Sequence, residues 1–237
     1  MSLSAKAVKS FIEKANEKVS FYRENPYARA ICISKGNRKI GIVWNVSLLP
    51  IFSCGNCSHC SNICYDVKAN IQYGNVLDAR AYNYVFARDH MDEFFDAIDK
   101  FMSKRIKHKF FRWHVGGEIL NKAYFSHMVE IARKHPDWKI WTYTKMYWIV
   151  NNYVRENGND RYIAIPANFT IMFSKWDGMP MDNPYNFPVF VCKLAAGNMD
   201  TTEEEFASMF ECPGNCDICK ANNCGCIGGM NTFNKEH

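Results

Sequence analysis

The chain of 237 residues reads as an α/β protein built on a parallel sheet. Three observations lead there. Strand-like apolar runs alternate with helix-period segments, and strands separated by helices run parallel. Hydrophobic residues make up 48% and charged residues 22% of the chain, a balance that suits a folded core and excludes disordered and collagen-like classes. Eleven cysteines are present, and nine of them crowd into two segments outside that alternation, one near each end.

The elements follow in order. Residues 3–24 predict an amphipathic helix with Leu3, Val8, Phe11, Ile12, Ala15 and Val19 on one side. Residues 28–34 (ARAICIS) and 39–46 (KIGIVWNV) predict two strands joined by a Lys35-Gly36-Asn37 turn as a hairpin. After the first cysteine segment comes one long helix, about residues 76–105, with Met91, Phe94, Phe95, Ile98, Phe101 and Met102 at helical spacing. A strand at 110–115 (FFRWHV) ends in Gly116-Gly117-Glu118. Asn121 caps a helix that His135-Pro136 stops. Residues 139–144 (KIWTYT) predict a strand, 147–156 a helix, and 169–174 (FTIMFS) and 187–194 (FPVFVCKL) two more strands. The acidic stretch Asp200, Glu203, Glu204 and Glu205 reads as a helix start behind Thr201 or Thr202. One domain spans 1–237: helix and hairpin over 1–38, core over 39–194, cysteine-rich segment over 195–237.

Several function classes drop out. No apolar run reaches the roughly 18–20 residues that cross a bilayer, and the charged N-terminus has no apolar stretch of the signal-peptide kind. A cytoplasmic protein without a membrane partner is expected. The net charge of +5, from 29 basic and 24 acidic residues, permits a nucleic-acid partner without arguing for one. Lys104, Arg105, Lys107, His108 and Lys109 could contact phosphates, or form the solvated end of a helix. No Ser/His/Asp set and no phosphate loop is present.

An odd cysteine count in such a chain argues against a disulfide framework and for metal. Cys32 and Cys192 stand alone in apolar runs and read as plain buried residues. Cys54, Cys57, Cys60 and Cys64 form C-x2-C-x2-C-x3-C, a spacing that lets thiolates converge on one metal or cluster and that occurs in bacterial ferredoxins. Four candidates within eleven residues suit an iron–sulfur cluster better than zinc, which usually takes two separated pairs. His59 is either a further ligand or a solvent-facing loop residue. Cys212, Cys216, Cys219, Cys224 and Cys226 lie among the turn formers Pro213, Gly214 and Gly225. Their metal reads as a second [4Fe–4S] cluster or as zinc. The Gly116-Gly117-Glu118 strand end would let a ligand approach the backbone and offers acceptors to an ammonium group.

A cysteine loop after an early strand, then a long helix, then a strand ending in GGE, resembles the radical S-adenosylmethionine superfamily. The resemblance implies a partial TIM-like barrel, open at one side, with the cysteine segments near the carboxyl ends of its strands. It implies a [4Fe–4S] cluster on three cysteines of the first segment, with S-adenosylmethionine on the open iron. Gly116, Gly117 and Glu118 would meet the cofactor's amino group, and Thr144 and Ser174 would lie near its ribose. An electron donor such as flavodoxin or ferredoxin would drive reductive cleavage and hydrogen abstraction from a substrate. The usual superfamily loop is C-x3-C-x2-C, and here that spacing falls instead on Cys212, Cys216 and Cys219. Cys57, Cys60 and Cys64 are the preferred cofactor ligands. CYDVKA, ARAYN, FRWHVGGEI and ARKHPDWKIWTYTK also resemble the phage-encoded gene product 88 family, over roughly residues 40–226. The other reading is a non-catalytic phage protein whose two metal sites are structural and which binds nucleic acid or a protein.

Overall fold

A computed structural model describes residues 3–37, 40–55, 60, 63–195 and 197–235. Helix α1 (Ala5–Glu24) starts where the Ser4 hydroxyl accepts from the Ala7 amide at 3.2 Å. It buries Phe11, Ala15, Val19 and Tyr22, spaced by three and four residues along one stripe, against α3 (Gly74–Asp89). The hairpin follows as β1 (Ile33–Asn37) and β2 (Gly41–Val46), antiparallel with a bulge between Ser34 and Gly36. The first strand begins later than the apolar run suggests, because the Cys32 backbone pairs with a side chain. Cys32 N donates to Asn83 Oδ1 at 2.8 Å, and Asn83 Nδ2 donates to Cys32 O at 3.0 Å.

The alternating body follows the expected pattern: β3 (Phe110–Trp113), α5 (Lys122–Lys134), β4 (Lys139–Thr144), α6 (Tyr147–Glu156), a short α7 (Arg161–Ala164), β5 (Phe169–Lys175) and β6 (Val189–Lys193). Asn121 does cap α5, accepting from the Tyr124 amide at 2.9 Å. The expected long helix is two. His90 leaves helical geometry (φ −136°, ψ 51°) and separates α3 from α4 (Met91–Met102), whose first turn carries Asp92 and Glu93. An additional short helix, α2 (Tyr65–Gln72), begins immediately after Cys64.

Past residue 194 the reading needs most correction. The acidic stretch does form a helix start, α8 (Glu203–Ser208), under a Thr202–Glu205 capping box. The second cysteine segment does not stand outside the sheet. It forms α9 (Cys216–Asn222) and α10 (Gly225–Gly228) between two further strands, β7 (Phe210–Glu211) and β8 (Thr232–Lys235). The eight strands make one sheet in the order β1-β2-β3-β4-β5-β6-β8-β7, parallel throughout except for the first pair. β1 and β7 are its edges, so the sheet is open. The partial barrel expected from resemblance thus reduces to a mixed α/β fold with an open, mostly parallel sheet.

The two faces differ. From β2 to β6 spatial order follows chain order, so right-handed crossovers keep their helices on one side. Phe111, Trp113, Ile140, Ile171 and Phe173 point there and join α1, α3, α4, α5 and α6 in the main core. The opposite face carries Val43, Phe110, Trp141 and Tyr143, and what covers it is Cys219, Ile227, Phe210 and Cys224 of the C-terminal segment. Cys32 and Cys192 are half-buried thiols rather than core residues. No helix among the described residues is long and apolar enough to cross a membrane.

Candidate functional site

The first site gathers at the carboxyl ends of β2, β3 and β4, where parallel sheets take their ligands. Beyond β2 the chain folds back under the GGE turn: Gly116 O accepts from Leu48 N at 2.9 Å, and Gly116 N donates to Ser47 Oγ at 3.3 Å. Neither glycine has room for a side chain. A Cβ on Gly116 would overlap the Asp66 carboxylate, and one on Gly117 (φ +85°) would lie 2.7 Å from both Leu48 Cβ and Ser53 Oγ. Asp66 is buried in an ion pair with Arg80 of α3. The helix that follows the cysteine loop is thereby locked beneath the turn. Tyr65 reinforces this by donating its hydroxyl to Val115 O.

Two backbone positions beside the site are strained. Ile51 and His114 have φ values of 69° and 53°, a region that β-branched residues in particular avoid. Ile51 lies just upstream of the cysteines and aims its amide at the Cys54 thiol. Strain of this kind, about 1–3 kcal/mol for each position, collects at functional sites. His114 is buried, with Nε2 3.0 Å from the Tyr124 hydroxyl and Nδ1 without a partner.

Glu118 and Thr144 are brought together, in a manner the resemblance does not anticipate. Glu118 accepts from Thr144 Oγ1 at 2.7 Å, Lys145 N at 2.8 Å and Ile119 N at 2.8 Å. Burial raises its carboxyl above the ordinary value, against the Lys145 charge and these three hydrogen bonds. Its side chain therefore clamps β3 to β4, and Thr144 serves that clamp. Ser174 is the penultimate residue of β5, with its hydroxyl accepting from Trp176 Nε1 at 3.2 Å and its carbonyl from the Tyr147 hydroxyl. Asp177 accepts from the Met199 and Asp200 amides at 3.0 and 3.3 Å.

The thiols lie beside this clamp. Burial pushes Cys54 up to about 12, with the Glu118 charge adding to it and Cys64 and Cys60 close enough to contribute. Cys64 also rises through burial, opposed by the Val67 amide of the α2 N-terminus, with Lys145 and Arg80 nearby. Cys57 and His59 lie outside the described residues.

The second cysteine segment is placed differently from expectation. It covers the open face towards the amino ends of the strands. Asp217 stands against Gly41, Lys220 Nζ donates to Ile42 O at 3.4 Å, and Thr170 Oγ1 donates to Ile227 O at 3.4 Å. Helix α9 puts Cys216 and Cys219 three residues apart on one side. Burial and then the Cys224 thiol push Cys219 up to about 12, with Cys212 and Cys216 also in range. Cys226 is pushed to about 11 by burial, against a hydrogen bond from Tyr143. Five thiols thus share one neighbourhood.

Among the described residues no three His, Cys, Asp or Glu side chains stand at metal-bonding geometry. The chemistry of the donors nevertheless fits a soft cation. Thiols whose titration is raised by burial and by one another would give up their protons to a bound soft cation such as zinc or an iron–sulfur cluster.

Sheet and sites define an α/β protein with one cysteine loop at its strand ends and a second cysteine segment on its open face. A family model described as Gene product 88 matches residues 12–188, and the chain belongs to that family. The match begins earlier than the motifs suggest and stops before the second cysteine segment. It supports the phage part of the resemblance and is silent on S-adenosylmethionine. No curated protein and no solved structure matches the chain.

Proposed function

We propose that this protein is an iron–sulfur enzyme that binds and reductively cleaves S-adenosylmethionine, acting on a substrate held at the carboxyl ends of the strands in a partial-barrel arrangement. The observation that carries the reading is the placement of Cys54, within electrostatic range of Glu118, Cys60 and Cys64, beside the tightly packed Gly116-Gly117 turn at the carboxyl ends of β2 and β3. A cluster bound there, on Cys57, Cys60 and Cys64, would supply one-electron chemistry. The chain's own residues position and enclose. Asp66 and Arg80 hold the cysteine loop under Gly116. Glu118 and Thr144 tie β3 to β4, leaving backbone at the turn to meet an amino group. Ser174 stands one strand further on, where a ribose hydroxyl would fall. Flavodoxin or ferredoxin would be the donor.

The test is anaerobic purification followed by iron, sulfide and zinc counts and an assay for 5′-deoxyadenosine. About eight irons per chain, four for each cluster, and formation of the nucleoside support the enzyme. Two zincs, no acid-labile sulfide and no nucleoside overturn it. They favour the non-catalytic reading, in which Lys35, His108 and Lys220 around an open cavity of about 690 Å³ meet nucleic acid beside two structural metals.

A further inference from the structure

Arg112 is a motif residue whose surroundings the strand-end site leaves unexplained. It points from the middle of β3 onto the open face, alternating with Phe111 and Trp113 of the helix-side core. Its guanidinium lies over the Tyr143 ring, 4.5 Å from the centroid. Its Nε is buried with no hydrogen-bond partner. A buried guanidinium normally finds a carboxylate, because an unpaired charge in low dielectric costs several kcal/mol. No carboxylate is among its main electrostatic neighbours, and those of the adjoining segments are engaged: Asp66 pairs with Arg80, and Asp217 with Lys220. The groups around Arg112 include the hydroxyls of Tyr65 and Tyr143 and the thiols of Cys216 and Cys226, with the Arg80 guanidinium and the His114 ring also in range. Tyr143 joins the two sides, since it lies under the guanidinium and packs in one cluster with Cys219 and Cys224, with the Cys226 thiol in range.

We propose that Arg112 is the counter-cation of an anionic metal–thiolate centre formed by the C-terminal cysteines. A divalent metal on four thiolates is a dianion, and so is an oxidised four-cysteine [4Fe–4S] centre. Either one, placed against the interior of a sheet, needs a fixed positive charge close by. Arg112 supplies it without being a ligand. Tyr143 holds both the guanidinium and one cysteine in place. The chemistry accounts for a buried cation with an orphaned donor and for an apolar face closed by thiols instead of leucines. It rests on the reading that the second segment binds metal, and it holds for zinc and for iron alike.

The experiment uses the full-length, metal-loaded protein. Metal per chain is counted, and metal release to an excess of chelator is followed over time. Cys216→Ser identifies the phase that belongs to the C-terminal centre. Arg112→Met should release that phase about 10–100-fold faster, the range seen when outer-shell partners of a metal site are lost. Release from the first site should be unaffected. Arg112→Lys, which keeps the charge, should release more slowly than Arg112→Met. Methionine fits a buried position beside Tyr143, and circular dichroism checks the fold. If Arg112→Met releases at the wild-type rate, or if lysine is no better than methionine, the counter-cation role is overturned while the metal reading stands. If Cys216→Ser leaves the metal count unchanged, the C-terminal centre does not exist and both fall together.

Discussion

A single hydrogen atom in place of a methyl group at residue 116 decides whether the cysteine loop can dock. Gly116 faces the Asp66 carboxylate so closely that alanine would drive Asp66 away from Arg80. Breaking a buried pair costs about 3 kcal/mol, so Gly116→Ala should lower the stability to denaturant by about that amount and loosen the metal of the first site in the same preparation. An unchanged unfolding midpoint would show that the turn has slack the structure does not suggest. His114 sets a second residue-scale expectation. Burial, with the Arg112 charge adding, lowers it from 6.5 to about 3. The folded state then holds this proton more weakly than the unfolded chain does. The stabilising contribution is complete above 6.5 and declines as pH falls towards about 3. His114→Asn tolerates the left-handed backbone and removes that proton site. Its denaturation midpoint should fall less steeply than the wild type's between about pH 7 and pH 4. Parallel slopes would mean that the histidine is not buried neutral. Residues of this kind were the least legible in the sequence. Asp66, Arg80 and Arg112 look like ordinary surface charges in a one-dimensional reading, since only the fold shows that they are enclosed.

Short elements carry the chemistry, and these are the ones that periodicity resolves worst. β4 and α6 coincide with the spans read from sequence because KIWTYT is a dense β-former run and YWIVNNYVRE repeats its apolar positions over nearly three turns. α2 has eight residues and β8 has four, too few for a period to show. The α3–α4 break at His90 carries no proline or glycine to announce it. The cysteines themselves were fully legible as two segments, because thiol spacing is a local property. Their positions on the sheet were not, because β7 and β8 close a crossover that only pairing defines. The separation between the two segments gives an element-scale prediction. Cys64→Ser acts at the α2 N-terminus near Lys145 and Arg80 and, under the proposed cofactor reading, should abolish 5′-deoxyadenosine formation. Cys219→Ser acts within α9 and, under the two-centre reading, should remove about half of the bound metal and lower thermal stability, because metal binding there would be coupled to folding. Loss of nucleoside formation in the Cys219 variant with retention in the Cys64 variant would reverse the two roles.

At the scale of the molecule, the helix side and the open side of the sheet are stabilised by different means. The helix side is an ordinary core of aromatic and aliphatic residues contributed by α1 through α7. On the open side Val43, Trp141 and Tyr143 are covered by a segment whose own apolar content is small: Ile227 and Phe210, with the rest of the cover made by Cys219 and Cys224. Four- and seven-residue helices such as α10 and α9 do not hold together in water unaided. Their docking comes from the sheet beneath and, under the proposed metal reading, from the metal that the thiols would bind. The two sides should therefore separate under metal removal. Chelation under reducing conditions should raise hydrogen exchange first in β7, α9, α10 and β8, and next in the β2 and β4 positions they cover. α1, α3 and α5 should keep their protection until global unfolding, as expected of a separate, more stable unit. Truncation before Phe210 should produce the same exchange pattern without chelator. It should also expose Trp141, which would shift the protein towards self-association through an uncovered apolar face. If exchange instead rises uniformly over both faces, the sheet and its cover form one cooperative unit, and the C-terminal cysteines belong to the main core rather than to a metal-dependent lid.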